Sequence, residues 1–581
     1  MLFTNLLRHL FRSRPAEPVD GERQALEEAA AAQRAENHPR VRAICADILS
    51  REPRNARAHH FMGTACARDG DLENARAHLA LAVELTPDFA EGHVNLGNVH
   101  KLRGDARAAV ESFRAALRID PESGAAAYNL GMVLKEAGRK HEAVELLLRA
   151  HAAAPRVAAA LWELVMLLTE LDRFEEARDV TERACAENPG DAVAAKALGV
   201  VLQHLYDPHA ALDQYDRAIA LGPLDSQTHA LRGIVLQELM QLDAAIAAHD
   251  RAIELDPKNA VAQWRRAVVY MLRGEFVEGW RAYELRLLSE GRAPRKFPCP
   301  RWRGEPLGGK TILVHAEQGL GDEIMFASCV PDLAAAGGRC IIDCHSKLRA
   351  LFARSFPHAL VHAGHQSDDV GWLASFPAPD YEIPAGSLPL HLRQSAEAFP
   401  RHSGYLTADP SMVARWRERL SGLGRGLKVG ISWRGGTATT RAPLRSLTLA
   451  RLGPILRMPD AHFVNLQYAT TAEDIEGFGA GERKIQHWPD ALDDYDETAA
   501  LVCALDLVIS VCTAVVHLAG ALGRPAWVMA PFSPEWRYGH AGSRMAWYPS
   551  VTLFRQPRYN EWDPVIAAIA AGLAQHARTP A

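Results

Sequence analysis

Proline recurs every 34 residues along the first half of this chain, at Pro53, Pro87, Pro121, Pro155, Pro189, Pro223 and Pro257. A single globular core has no use for such spacing. Proline lacks an amide hydrogen and disfavours helix in the residue before it, so a proline at each period ends a helix at the same place. The spacing therefore predicts a run of equal helical hairpins. Counting Ala56 as position one, position eight is Gly63, Gly97, Gly131, Val165, Gly199, Gly233 and Ala267. Position 20 is Ala75, Ala109, Ala143, Ala177, Ala211, Ala245 and Gly279, and position 27 is alanine from Ala82 to Ala252, then Arg286. Small residues fall where paired helices approach closely. Leu79, Phe113, Leu147 and Tyr215 fill the gap at position 24.

A period of 34 with this pattern of small residues resembles the tetratricopeptide repeat, which stacks into a superhelix. A weaker copy is expected over 22–55, with Ile48 and Pro53 in place, and the copy at 260–293 loses register after Gly279. The groove of such an array binds extended peptide or a partner's helix. Asn95 and Asn129, at position six, are candidate acceptor-binding residues there. The related nucleocytoplasmic N-acetylglucosamine transferase holds its acceptor with a ladder of asparagines. Here the other rungs are Phe61, Glu163, Ala197, Leu231 and Arg265, and asparagine is also a frequent consensus residue at that position.

The chain of 581 residues has room for several domains, and its net charge of −5 gives no basic footprint for nucleic acid. Nine cysteines without paired spacing suggest a reducing cytoplasm, and Cys340 and Cys344 read as core residues of a strand. No His/Cys cluster has zinc spacing, and no apolar run reaches transmembrane length. Arg8 and His9 interrupt the N-terminal apolar stretch, so residues 1–21 are not expected to act as a signal peptide. They form at most a short amphipathic helix capable of touching a membrane or partner.

A proline- and arginine-rich linker over 289–308 precedes a change of period. Short β-rich runs at 311–317, 340–345, 428–433, 462–467, 507–511 and 526–531 alternate with helical stretches, which predicts parallel sheets flanked by helices. Two series suggest two Rossmann-like halves, 309–426 and 427–581, with ligands beyond the carboxyl ends of the strands. The first glycine-rich turn, Glu317-Gln318-Gly319-Leu320-Gly321-Asp322, enters a helix, where Asp322 is either a cap or a reactive carboxylate. The second, Trp433-Arg434-Gly435-Gly436-Thr437, continues to Arg441 and Arg445-Ser446 and suits an anionic ligand or a solvated basic loop. A buried strand at 507–511 runs through Cys512-Thr513-Ala514 into a helix carrying His517.

Several segments together resemble the heptosyltransferase-like glycosyltransferases of GT-B fold. They are Trp-Arg-Gly-Glu at 302–305, His315 to Asp322, Arg445-Ser446, Asn465-Leu466-Gln467, and the segment from the 507–511 strand through His517 to Gly523. Trp536-Arg537-Tyr538, Trp547-Tyr548-Pro549 and Leu553-Phe554-Arg555-Gln556 also match. The chain is more closely similar to bacterial proteins in which tetratricopeptide repeats precede such a domain, the flagellin glycosyltransferase type. The resemblance implies a metal-independent transferase without a cofactor. Asp322 is implied as general base. Gly319, Gly321, Arg434, Gly435, Arg441, Arg445, Gln467, Cys512, Thr513, Ala514 and His517 are implied to hold the nucleotide-sugar donor. The family places Asp before the threonine of the third segment; this chain has Cys512, which cannot grip sugar hydroxyls as a carboxylate does.

The expectation is an all-α repeat superhelix over 22–288 followed by an α/β GT-B region. The resemblance implies a cytoplasmic protein glycosyltransferase that moves a sugar, a nonulosonic acid among the candidates, to Ser or Thr of an acceptor such as flagellin held by the repeats. The alternatives are a transferase acting on a glycan or lipid-linked acceptor, and a non-catalytic scaffold with a degenerate α/β region.

Overall fold

The computed structural model describes residues 20–155, 157–289, 295–364, 367, 369–436, 442–468, 475 and 485–576. The candidate amphipathic segment before Asp20, Arg441, and residues 290–294 of the linker lie outside these. The chain divides into two compact units, one to Leu224 and one from Asp225.

The first unit is helical throughout. Its hairpins pair Asp20–Arg34 with His38–Arg51, Ala56–Arg68 with Leu72–Leu85, and Ala90–Leu102 with Ala106–Ile119. They continue with Gly124–Glu136 and Lys140–Ala153, Ala158–Glu170 and Phe174–Glu187, then Ala192–His204 and Pro208–Leu221. Each second helix ends two residues before its proline, as Arg51 does before Pro53 and Leu221 before Pro223. The intervening residue leaves the helical region, with φ −130° at Glu52 and −136° at Thr86, the restriction that a following proline imposes.

Close approach within hairpins follows the small-residue pattern. A Cβ at Gly97 would stand 2.6 Å from the Phe113 ring, and one at Gly199 would stand 2.6 Å from the Tyr215 ring. Where position eight is Val165, position 24 is the smaller Thr181, and both are buried. The core formed by Phe113, Leu130, Leu147, Leu164, Leu168 and Val201 runs continuously along successive hairpins, as expected of a stacked array.

The second unit begins with two more hairpins, Ser226–Glu238 with Leu242–Leu255 and Ala260–Arg273 with the shortened Phe276–Tyr283. Two parallel sheets follow. The first contains β1 (Thr311–His315), β2 (Arg339–Asp343), β3 (Leu360–His362) and β4 (Tyr381–Pro384) in the order β3-β2-β1-β4. The second contains β5 (Leu427–Ser432), β6 (Ala461–Asn465), β7 (Leu507–Val511), β8 (Ala526–Ala530) and β9 (Val551–Arg555) in the order β6-β5-β7-β8-β9. The central strands β1 and β7 are buried at every residue, as parallel strands covered on both faces must be.

Candidate functional site

The loops leaving β1, β5, β7 and β8 meet. Gly319 caps the helix Leu320–Ala327, and Gly321 in its first turn faces the helix Ala514–Ala521. A Cβ at Gly321 would lie 3.3 Å from both Ala514 Cα and the His517 ring, so a larger residue would have to push these tightly packed helices slightly apart. Gly435, after β5, is more confined: its Cβ would stand 2.9 Å from the Cys512 carbonyl oxygen. The three turns picked out in the sequence are thus packed against one another within one compact unit.

Charged side chains link these loops. Arg537 donates to Asp322 Oδ1 from Nε at 2.8 Å and again from Nη2. Its Nη1 lies 3.5 Å from Glu535 Oε2, and the other Glu535 oxygen accepts from Arg445 Nη1. The result is a chain of alternating charge, Asp322–Arg537–Glu535–Arg445. Burial opposes the charge on Arg537, but Asp322 and Glu535 outweigh it and raise its pKa. Asp322 Oδ2 receives no hydrogen bond from the described residues. Glu323, beside it, turns inward: its Oε2 accepts from the His345 amide at 2.8 Å, and burial pushes its carboxyl up to about 8.

Other sequence candidates shape the site. Gln467 is buried, and its Oε1 accepts from the Trp433 and Arg434 amides at 3.1 and 2.8 Å and from Ser432 Oγ at 3.0 Å. It therefore pins the turn after β5. Thr513 Oγ1 lies 3.0 Å from Ser510 Oγ and precedes Ala514 at the start of its helix. His517 Nδ1 lies 3.2 Å from the Tyr548 hydroxyl, and burial with nearby Arg537 holds its imidazole down to about 3. Its surroundings favour the neutral ring. Burial, reinforced by Glu535, pushes the Cys512 thiol up to about 12, which excludes a nucleophilic thiolate near neutral pH.

The matching motifs beyond β8 act as braces. Gln556 Oε1 accepts from the Phe532 amide at 2.8 Å, and Arg555 donates to the carbonyls of Gly539 and Gly542 at 3.0 and 2.7 Å. Together they hold the loop that carries Glu535 and Arg537. The sequence placed Arg537 in a motif without giving it a role, and did not single out Glu535.

The terminal repeat also reaches this place. Tyr283 Oη donates to Gln318 Oε1 at 3.0 Å, and the buried Arg286 pairs with Glu317 at 2.5 Å. Trp280 stacks edge-on against Trp536 and Trp547, and its Nε1 donates to the Arg393 carbonyl at 2.8 Å. Burial pushes the Tyr283 phenol up to about 12, with Arg537, Arg286 and Asp322 all within electrostatic reach. Loss of repeat register after Gly279 thus coincides with residues adapted to pack on the α/β part of the unit.

In the first unit, Asn95 Nδ2 lies 2.7 Å from His60 Nε2 of the preceding repeat, whereas Asn129 Nδ2 donates to the Ala125 carbonyl of its own helix at 3.0 Å. The two do not share one role. No group of three or more metal-ligating side chains occurs among the described residues, and no helix there is long and apolar enough to cross a membrane.

The helical hairpins are followed by an α/β region of parallel sheets. Tetratricopeptide-repeat models match residues 56–89, 102–165 and 197–260. Repeats of this class typically bind proteins, which supports a protein partner in general. The chain is 35% identical over 336 residues to Protein FlbA of Caulobacter vibrioides, across 55% of this chain and 56% of that protein. It thus spans about half the length of that curated relative. Among solved structures, it is similar to Pseudomonas aeruginosa PilF at 22% identity, with a TM-score of 0.31 over 36% of this chain and 95% of that one. It is also similar to YrrB, described as a tetratricopeptide-repeat protein with an unusual peptide-binding site, at 21% identity and a TM-score of 0.27 over 32% and 95%.

Proposed function

We propose that this protein is a glycosyltransferase of GT-B type that moves a sugar from a nucleotide donor to Ser or Thr of a protein acceptor held by the repeats, flagellin being one candidate. The observation that carries this reading is the packing of the Gly319–Asp322 turn against the start of the helix at Ala514. A carboxylate, a helix N-terminus and the arginine of a third loop then border one place at the ends of parallel strands, where such folds bind ligands. Asp322 would take the proton of the acceptor hydroxyl through Oδ2, because both bonds from Arg537 fall on Oδ1. Arg445 and the amides at Thr513–Ala514 would hold the donor phosphate. His517 and Gln467 serve this site as positioning groups.

A non-catalytic scaffold is the second reading, favoured by the ion pair that engages Asp322. One experiment separates the two. Purified protein is incubated with nucleotide sugars and a candidate acceptor, following nucleotide release and acceptor mass. Asp322→Asn keeps an oxygen for Arg537 to donate to, so the fold is retained while the base is lost. Transfer by the wild type that falls at least about a hundredfold in the variant supports the enzyme. No release from any donor supports the scaffold.

A further inference from the structure

Two largely buried guanidiniums share one more accessible carboxylate. The side chains of Arg445 and Arg537 are 9% and 14% exposed, whereas Glu535 between them is 35% exposed. Glu535 does not chelate one arginine; its Oε1 goes to Arg445 and its Oε2 to Arg537. The cations arrive on separate loops, after β5 and after β8, and the latter loop is fastened by Arg555 and Gln556. Arg537 is held from behind by Asp322, which fixes the direction of its remaining Nη1. The arms are therefore largely desolvated, with the Arg537 arm braced, and the anion that joins them is the most solvent-accessible member of the group.

An oxyanion with two oxygens at carboxylate spacing satisfies the same two donors. Phosphate does this as well as carboxylate, because guanidinium binds either through paired N–H groups. Displacing Glu535 leaves its charge in water, since its side chain already borders solvent.

We propose that Arg445 and Arg537 form a two-armed oxyanion site, which the Glu535 carboxylate fills from within and which the phosphate or carboxylate of a substrate takes by displacing it. This rests on the nucleotide-sugar reading, and it adds Arg537 as second arm and Glu535 as built-in competitor. The competitor keeps two buried cations neutralised and sets a threshold of affinity that weak anions do not cross. Glu535→Gln removes the competing charge while keeping the shape of the side chain.

Calorimetry with pyrophosphate and with glucuronate, on the full chain, tests this. Glu535→Gln is expected to bind one of the two about tenfold or more tightly than the wild type, the gain expected when a charge-assisted competitor is removed. Arg445→Met introduced into Glu535→Gln is expected to abolish that gain. A gain for pyrophosphate identifies the donor phosphate as the natural occupant, and a gain confined to glucuronate identifies a sugar acid. Unchanged or weaker binding of both by Glu535→Gln overturns the proposal, as does a gain that survives Arg445→Met. Failure of the transferase reading looks different: Glu535→Gln gains anion affinity, yet neither protein releases nucleotide from any sugar donor.

Discussion

The hydroxyl of Tyr283, the last residue of the terminal repeat helix, donates a hydrogen bond to Gln318 in the first glycine-rich turn at 3.0 Å. With Trp280 against Trp536 and Arg286 against Glu317, this makes the terminal repeat part of the α/β structure. A fragment of residues 309–581 would expose Trp536 and Trp547 and leave Glu317 without its arginine. It is expected to aggregate or to bind a hydrophobic dye, whereas a fragment of 225–581 should unfold in one cooperative transition. Equal solubility and equal cooperativity of the two fragments would count against this packing role.

His249 should contribute a loss of stability to the second unit on mild acidification. Its ring is buried against Gly233, neither nitrogen has a hydrogen-bond partner, and burial with Arg265 and Arg266 holds its pKa down to about 3. In the unfolded chain the imidazole protonates near 6.5; in the fold it stays neutral. The unfolded state therefore binds more protons below about pH 6.5, and stability drops as pH falls, at up to about 1.4 kcal/mol per pH unit. His249→Phe, a residue the equivalent position accepts at Phe113, should shift the pH 7 to pH 5 difference in urea-unfolding stability of 225–581 by this contribution, making the variant relatively more stable at pH 5.

Glu323 imposes the opposite slope. Burial pushes its carboxyl up to about 8, so it stays protonated in the fold while the unfolded chain ionises it above about 4.5. Stability is lost as pH rises between those values. Glu323→Gln imitates the protonated acid and should raise the midpoint of thermal unfolding at pH 7.5 more than at pH 4.5. An equal change at both pH values would show that the side chain is already ionised.

Cys512 should behave as an inert core residue. Its thiol is buried and pushed up to about 12, so iodoacetamide at pH 8 is expected to leave it unmodified in the native protein and to alkylate it only after denaturation. Cys512→Ser should retain any transfer activity within about threefold, as expected of a group outside the bond-making step. Rapid native alkylation, or loss of activity in the serine variant, would point to a chemical role for the thiol.

What could be read without the structure is what short-range sterics control. Proline spacing marked the helix ends because the restriction acts on the adjacent residue. Glycine at position eight marked close packing because a Cβ has nowhere to go. β7 was legible at Leu507–Val511, since a strand covered on both faces is apolar throughout. β3, β4 and β9 were missed: β3 has three residues, β4 ends in Pro384, and β9 is a partly exposed edge strand. The same 34-residue ruler governs a left-handed position between helices, filled by Gly70, Gly104, Gly138 and Gly274. At Asp172, Tyr206 and Met240 the backbone adopts that conformation without glycine, so packing of the hairpins imposes what the residue disfavours.

The site divides the same way. The glycine turns, Asp322, Arg445 and Thr513 were visible as local patterns at strand ends. Their arrangement was not, because Asp322 meets Arg537 across 215 residues and Glu535 meets Arg445 across 90. Nor could the motif containing Gln467 show that its oxygen would be consumed by backbone amides. Which charges pair depends on which loops the sheets bring together and how much water they exclude. Sequence alone determined the repeats and the glycine turns at the strand ends; tertiary packing decided that a repeat tyrosine, two arginines and a glutamate would surround them.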